Sequence, residues 1–468
     1  MPNLILEYSD NVEFDSKSFF RQLHESLVET GAFNLKGLKS RAVQVSDYYI
    51  ADGNPEYKFV HLNIVLREGR SRAVREEIAQ RAMVLLEATF GHYREGGHIN
   101  LSTDMNELEV GLALTNHNIP SRPRPQQIHL VGSVPLPTAS DVFEQICGAV
   151  GPYLTRLPDG ETGERSRWIS FQRAMLEEHP AIMVNPAGRT FTIRDLEGKV
   201  SREDALLVLN PTFPVDEIEF RPLGYSHAAI ESWKLFQQKQ RAGIIPTDLR
   251  FQVSLPTPFA TGLHYFHPDA HESYIELMQD ALLQEVTEIC AAIPHKHLAI
   301  QWDCCQEILL IEGYYPDDWR YDAGKMAPVV AALGNALPDD VELGFHFCYG
   351  SPVDSPLVKQ RDMGVVVDFC NQIAANLTHS LDFAHMPVSV PDADADFFSP
   401  LKDLTISGEA QIYLGILHPK VPGGDMARIQ KAQQSLPSFG VATECGWGRK
   451  STETVDKLLQ VHLNAVSG

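Results

Sequence analysis

Glu342-Leu-Gly-Phe-His-Phe-Cys-Tyr-Gly350 is a short apolar run that ends on an imidazole and a thiol. Residues 342–347 are too few for a helix and read as a buried β-strand. On an extended chain residues two apart point to the same side, so His346 and Cys348 face the same way at the strand's C-terminal end. Seven further β-branched or apolar runs lie around 128–134, 153–158, 250–255, 298–303, 380–384, 411–416 and 439–444. Helical patterns separate most of them, as at 275–293 and 325–337, and the long gap after the second run holds inserted helices such as 228–242. Eight strands alternating with helices predict an α/β fold of the (β/α)8 TIM-barrel type.

In such a barrel the chemistry gathers where the strands end. Ser133 follows the first run, Asp159 and Glu161 the second, Asp303 the fourth, His346 and Cys348 the fifth, His385 the sixth, His418 the seventh and Cys445 the eighth. An imidazole and a thiolate on one side of a strand end can share a metal, and Cys445 supplies a third ligand. A His/Cys/Cys set with one position left for a substrate is a zinc site suited to a thiol, which the metal deprotonates. A buried cysteine alone is more often a small hydrophobe, and H-x-C alone is weak; their joint placement at matching strand ends carries the metal reading. Cys147, Cys290, Cys304, Cys305 and Cys370 read as core thiols, with Cys304 nearest the barrel mouth.

The chain of 468 residues carries 39 basic and 61 acidic side chains, a net charge of −22 that leaves no basic footprint for nucleic acid or an anionic membrane. No window approaches a membrane span in length and apolarity. The opening residues MPNLILEYSD show no basic segment followed by an apolar stretch, which predicts a cytoplasmic protein. Seven cysteines without a C-x-x-C spacing read as reduced thiols or metal ligands.

From about residue 126 onward the chain resembles the catalytic barrel of cobalamin-independent methionine synthase and its relatives, which include single-barrel thiol alkyltransferases such as epoxyalkane:coenzyme M transferase. The motifs are His129-Leu-Val-Gly-Ser-Val-Pro135, Asp159-Gly-Glu-Thr-Gly-Glu-Arg165, Gln301-Trp-Asp303, His346-Phe-Cys348 and Glu444-Cys-Gly446. The resemblance implies that Ser133, Glu161 and Asp303 contact an amino-acid thiol and that His346, Cys348 and Cys445 hold Zn2+. Where the family places a further zinc-binding Glu, this chain reads His379-Ser-Leu-Asp-Phe-Ala-His-Met386, so that His385 or Asp382 takes its place or the position stays open. Asp159 stands where the family has His, and Cys304-Cys305 where it has Glu-Pro. His418 lies one position from a proton-donating His of the family; a structural His is the other reading. The barrel that helps bind folate in methionine synthase has no counterpart, so thiol activation is implied and methionine synthesis is not.

Three prolines in Ile119-Pro-Ser-Arg-Pro-Arg-Pro125 favour an extended spacer and set the expected domains at 1–122 and 123–468. In the first, strands at 4–8 and 58–66 and helices at 16–29 and 71–89 give two strand-then-helix units, a small α/β sandwich. Val74, Ile78, Ala82 and Leu85 share one face of the second helix. With Met1 removed, Pro2 is a secondary amine whose pKa neighbouring cations lower, which makes it a general base; Arg41, Arg70 and Arg72 are the candidates. Through Met1-Pro-Asn-Leu-Ile-Leu-Glu-Tyr-Ser-Asp-Asn11, Ser40-Arg41, Ala51-Asp-Gly53, Phe59-Val-His-Leu62 and Gly69-Arg-Ser71, residues 1–118 resemble 5-carboxymethyl-2-hydroxymuconate isomerase of the tautomerase superfamily. That resemblance implies a catalytic set of Pro2, Arg41 and Arg70 acting on an unsaturated 2-oxo or 2-hydroxy acid, and a homo-trimer.

The expected protein is therefore bifunctional. A zinc barrel transfers an alkyl group, such as methyl, to or from a small-molecule thiol with an alkyl donor as partner, and a proline-based tautomerase is fused to it. The alternative is zinc-assisted C–S bond cleavage, with the N-terminal domain tautomerising the product or serving only for trimerisation.

Overall fold

The computed structural model describes residues 3–30, 33, 38–67, 70–95, 97–108, 126–220, 222–319, 321–352, 354–406, 410–421 and 423–466. Pro2, Gly69 and the proline-rich stretch 119–125 lie outside the described residues. The chain divides into two compact units, residues 1–122 and 123–467.

In the first unit β1 (Asn3–Ser9) is followed by α1 (Ser16–Val28) and β2 (Lys39–Val45), and β3 (Tyr57–Arg67) by α2 (Arg72–Phe90) and β4 (His98–Leu108). The sheet order is β2-β1-β3-β4, parallel within each strand–helix–strand unit and antiparallel between β1 and β3. Leu4 and Leu6 alternate toward the core with Val60, Leu62, Ile64 and Leu66. Phe19, Leu23 and Leu27 of α1 and Ile78, Ala82, Leu86 and Phe90 of α2 fall at helical spacing and complete that core. Asp15 caps α1 by accepting from the Lys17 and Ser18 amides, and Ser71 caps α2 by accepting from Val74. The core stripe of α2 thus advances in fours, with Val74 and Leu85 only partly buried against it.

The second unit is built on a strongly curled parallel sheet. After β5 (Arg156–Pro158) an insertion carries β6 (Ile182–Val184), β7 (Thr190–Arg194), β8 (Val200–Ala205) and β9 (Leu207–Leu209), which pair as β6–β9 and β7–β8. Then come β10 (Arg250–Pro256), β11 (Leu298–Cys304), β12 (Glu342–Phe347), β13 (Phe383–Pro387), β14 (Gln411–Leu417) and β15 (Gly440–Thr443), each beside its predecessor, with β10 also pairing β5. The first expected run, around 128–134, forms no strand. Ile128 instead bridges Leu154 on one side and Val441 on the other. Its amide donates to Tyr153 O and that of His129 to Val441 O, both at 2.9 Å. Helices such as His271–Ala292 and Ala323–Asn335 bury one face against the sheet's outer side chains.

Side chains on the concave face are polar as well as apolar, and they are paired. Arg156 donates to Glu342 at 2.6 Å and to Tyr413 Oη at 3.2 Å, with its guanidinium 4.0 Å from the centre of the Phe383 ring. Further toward the strand ends, His129 meets Gln301 at 2.9 Å, and Gln301 donates to Val131 O at 2.7 Å. Burying Arg156, His129 and Gln301 is tolerable because each finds a partner. The layer above them is the candidate site.

Candidate metal centre and cavity

Strand register brings the centre together. In the parallel pair β11–β12, Asp303 stands opposite His346, and in β12–β13 His346 stands opposite His385. Cys348 follows β12, its amide donating to Cys304 O at 3.0 Å. Cys445 follows β15, which the curl of the sheet carries round until its Sγ lies 3.5 Å from Cys348 Sγ and 3.8 Å from His346 Nε2. The ligand atoms of His346, Cys348 and Cys445 all lie within 4.8 Å of one another.

His385 sits close by with both ring nitrogens engaged. Its Nε2 is 3.1 Å from Thr443 O, which can only accept, so Nε2 carries the proton. Burial drives the pKa of His385 well below its ordinary value, with the charge of His129 acting in the same direction, so the ring is neutral and Nδ1 is an acceptor. His346 Nδ1, 2.7 Å away, must therefore donate to it. That assignment, drawn from the hydrogen-bond network, leaves the Nε2 lone pair of His346 facing Cys445. Asp382 is occupied elsewhere, accepting from the Leu343 amide at 2.8 Å.

The donor set fits zinc: two sulfurs and one unprotonated imidazole nitrogen, converging on one point. The Cys348 thiol is raised far above its usual range, first by the hydrogen bond to Cys305 and also by burial. Cys445 is raised likewise, first by Cys348 and then by burial. Two buried thiols in contact cannot both ionise without a cation between them.

The three donors line a cavity of about 640 Å³ together with Ser133, Glu161 and Asp303. The Asp159-Gly-Glu161 turn is strained: Glu161 has φ +49° and Gly160 φ +81°. Asp159 holds it, accepting from the Glu161 amide at 2.9 Å, Arg165 at 2.6 Å and Ser232 at 2.7 Å. Burial pushes the Glu161 carboxyl up to about 7, against the opposing pull of Arg165. Burial, with Glu161 adding repulsion, lifts Asp303 well above the carboxylate range, while Gln301 donates to it at 2.9 Å. Ser133 Oγ accepts from the Gly448 amide at 3.2 Å. Close approach explains two glycines: a Cβ on Gly132 meets Glu161 Oε1 at 2.3 Å, and one on Gly446 meets Ser133 Oγ at 2.4 Å.

His418 is not among the residues lining the cavity. It is buried, its Nε2 has no partner among the described residues, and burial lowers its pKa to about 4. Sequence reading missed the far wall, where Phe191, Tyr314 and Tyr315 meet the metal-side residues. Phe191 comes from the inserted β7 and stacks on Tyr315 at 5.2 Å between centroids. Cys304 is the core thiol it was expected to be, fully buried outside the cavity, while Cys305, also expected in the core, lines the cavity.

In the first unit Arg41 lies exposed on β2, opposite Ile5 of β1. Arg70 places its guanidinium 5.0 Å from the centre of the Phe33 ring, and Arg72 pairs with Glu76 at 2.7 Å. His61 on β3 bonds Ser102 at 2.9 Å.

Residues 2–122 match the family model of 5-carboxymethyl-2-hydroxymuconate isomerase. Over 121 residues the chain is 31% identical to the 5-carboxymethyl-2-hydroxymuconate Delta-isomerase of Escherichia coli, covering 96% of that protein and 25% of this one. The chain belongs to the 5-carboxymethyl-2-hydroxymuconate isomerase family through this unit. A solved isomerase from Deinococcus radiodurans R1 is 28% identical to the isomerase-family unit, covering 25% of this chain and 90% of that one, at a TM-score of 0.24. Structure neighbours covering the C-terminal part are methionine synthase-like. They include a B12-independent methionine synthase from Shewanella sp. W3-18-1, with 14% identity, TM-score 0.48 and coverage of 73% of this chain and 96% of that one. No helix among the described residues is long and apolar enough to cross a membrane.

Proposed function

We propose that this is a bifunctional enzyme in which a zinc-dependent barrel transfers an alkyl group to or from a small-molecule thiol and the isomerase-family unit tautomerises an unsaturated 2-oxo or 2-hydroxy acid. The observation that carries it is the convergence of His346 Nε2, Cys348 Sγ and Cys445 Sγ within 4.8 Å in one cavity. Bound zinc supplies the positive charge that holds a thiol as thiolate at neutral pH. The side chains do the rest: His385 fixes the tautomer and ring orientation of His346, which makes it a positioning residue and not a ligand. Glu161 and Asp303, whose carboxyls burial raises, are placed to ionise beside an entering ammonium group, their protons leaving to solvent because its charge favours the carboxylate. The aromatic wall of Phe191, Tyr314 and Tyr315 limits water and offers an apolar surface to the alkyl donor.

We read the curled sheet as a (β/α)8 barrel whose eighth stave is the segment around Ile128, a reading supported by its bridges to both neighbouring edges. The boundary at 122, supported by the division into two compact units, separates it from the isomerase-family unit, through which the protein forms trimers. Pro2 is the general base there, with Arg41 and Arg70 holding carboxylates.

Metal analysis tests the barrel: purified protein carries about one zinc per chain, and Cys348→Ala loses it. An active enzyme free of metal overturns the reading. Product analysis with candidate thioethers separates alkyl transfer from C–S cleavage, which leaves an enol for the first unit to tautomerise. Pro2→Ala abolishes turnover of enol pyruvates without changing zinc content; unchanged turnover reduces the first unit to a trimerisation module.

A further inference from the structure

The metal centre has a third thiol beside it. The ladder between β11 and β12 runs Asp303↔His346 and Cys304↔Phe347, closed by the Cys348 amide's bond to Cys304 O, and Cys305 and Cys348 are the residues that directly follow its last pair. Side chains alternate across a strand, so Asp303 and Cys305 share the face that His346 and Cys348 share. Cys305 lines the same cavity as the three donors and is 5% exposed. Cys304, one residue earlier, is fully buried on the opposite face.

We propose that Cys305 is a third sulfur ligand of the metal held by His346, Cys348 and Cys445, completing a set of three thiolates and one imidazole nitrogen. Its sulfur is not part of the trio whose donor atoms lie within 4.8 Å of one another. A change of rotamer about its Cα–Cβ bond redirects the sulfur without moving the backbone. Ligation would cost the Cys305 thiol its proton, which would pass to solvent. The four donors would then match the ligand number and types of a zinc site, and Cys305, the donor outside the close trio, would be the one that an entering substrate thiol displaces.

This inference rests on the zinc reading, and the test keeps the two apart. X-ray absorption on the zinc-loaded full-length protein reads the number of sulfurs at about 2.3 Å and nitrogens at about 2.0–2.1 Å. The expected shell is three sulfurs and one nitrogen. Cys305→Ala loses one sulfur, replaced by a lighter donor, with zinc still bound; Cys304→Ala keeps all three. Bound zinc with two sulfurs in the unmodified protein, or an unchanged count in Cys305→Ala, overturns the role of Cys305 and leaves the metal site standing. Failure of the unmodified protein to hold zinc at all overturns both. The count in the unmodified protein needs no variant to fold.

Discussion

Glu161→Gln isolates the electrostatic cost of the cavity. Its carboxyl is displaced from 4.5 to about 7, principally by burial. At 1.36 kcal/mol per pKa unit, a displacement of about 2.5 is worth about 3 kcal/mol. The sign follows from proton linkage. The folded state holds the Glu161 proton more tightly than the unfolded chain, so this stabilisation is fully present below pH 4.5 and is lost as pH rises through about 7. Gln cannot ionise and does not lose it. Relative to the unmodified protein, Glu161→Gln should therefore gain about 3 kcal/mol between pH 4 and pH 8, whatever constant offset the amide introduces. Glu307 and Glu444, each also raised to about 7 by burial, remain in both proteins and drop out of the difference. Urea unfolding followed by tryptophan fluorescence in the presence of a chelator is the assay. All five tryptophans, Trp168, Trp233, Trp302, Trp319 and Trp447, belong to the second unit, so the signal ignores the first. A stability difference that stays flat from pH 4 to pH 8 refutes the reasoning, because Glu161 would then be ionised in the fold.

Two further outcomes concern the frame around the metal. His385→Ala should weaken zinc about 10- to 100-fold in a chelator competition while leaving one metal per chain at saturation; abolished binding would instead make His385 a ligand. Gly344→Ala, two residues before His346, drives a Cβ to 2.2 Å from the Phe383 ring. It should destabilise the second unit by about 1–3 kcal/mol in the same urea assay, and unchanged stability would mean that the concave face is looser than its packing implies.

Much of what lines the candidate site was legible before any coordinates. Apolar runs of strand length ending on Asp303, His346 and Cys445 mark those residues locally, because a strand's face is set by alternation alone. Edge strands were not legible: β2 is an alternation of exposed and half-buried residues, and most of β4 is polar, so neither carries a hydrophobic signature. β1 and β3, buried at every second position, do. The first barrel run was overextended, since only Ile128 makes sheet bridges and the residues after it turn to form the cavity wall.

The sequence by itself determined which residue types stand at the strand ends, and with them the thiol-and-imidazole chemistry. It also determined the family of residues 2–122, through motifs spread over that whole unit. Tertiary structure alone decided which thiols meet. Cys348 and Cys445 are 97 residues apart and come to 3.5 Å only because the sheet curls. Alternation of faces past the end of β11 is what puts Cys305, and not Cys304, on the cavity wall. His385 likewise looks like a ligand in sequence, and in the fold its ring lies between the carbonyl of Thr443 on one side and His346 Nδ1 on the other. Alternation along a strand is local and can be read from one chain. Register between strands and the closing of a sheet are set by packing across distant segments, which no short stretch of sequence contains.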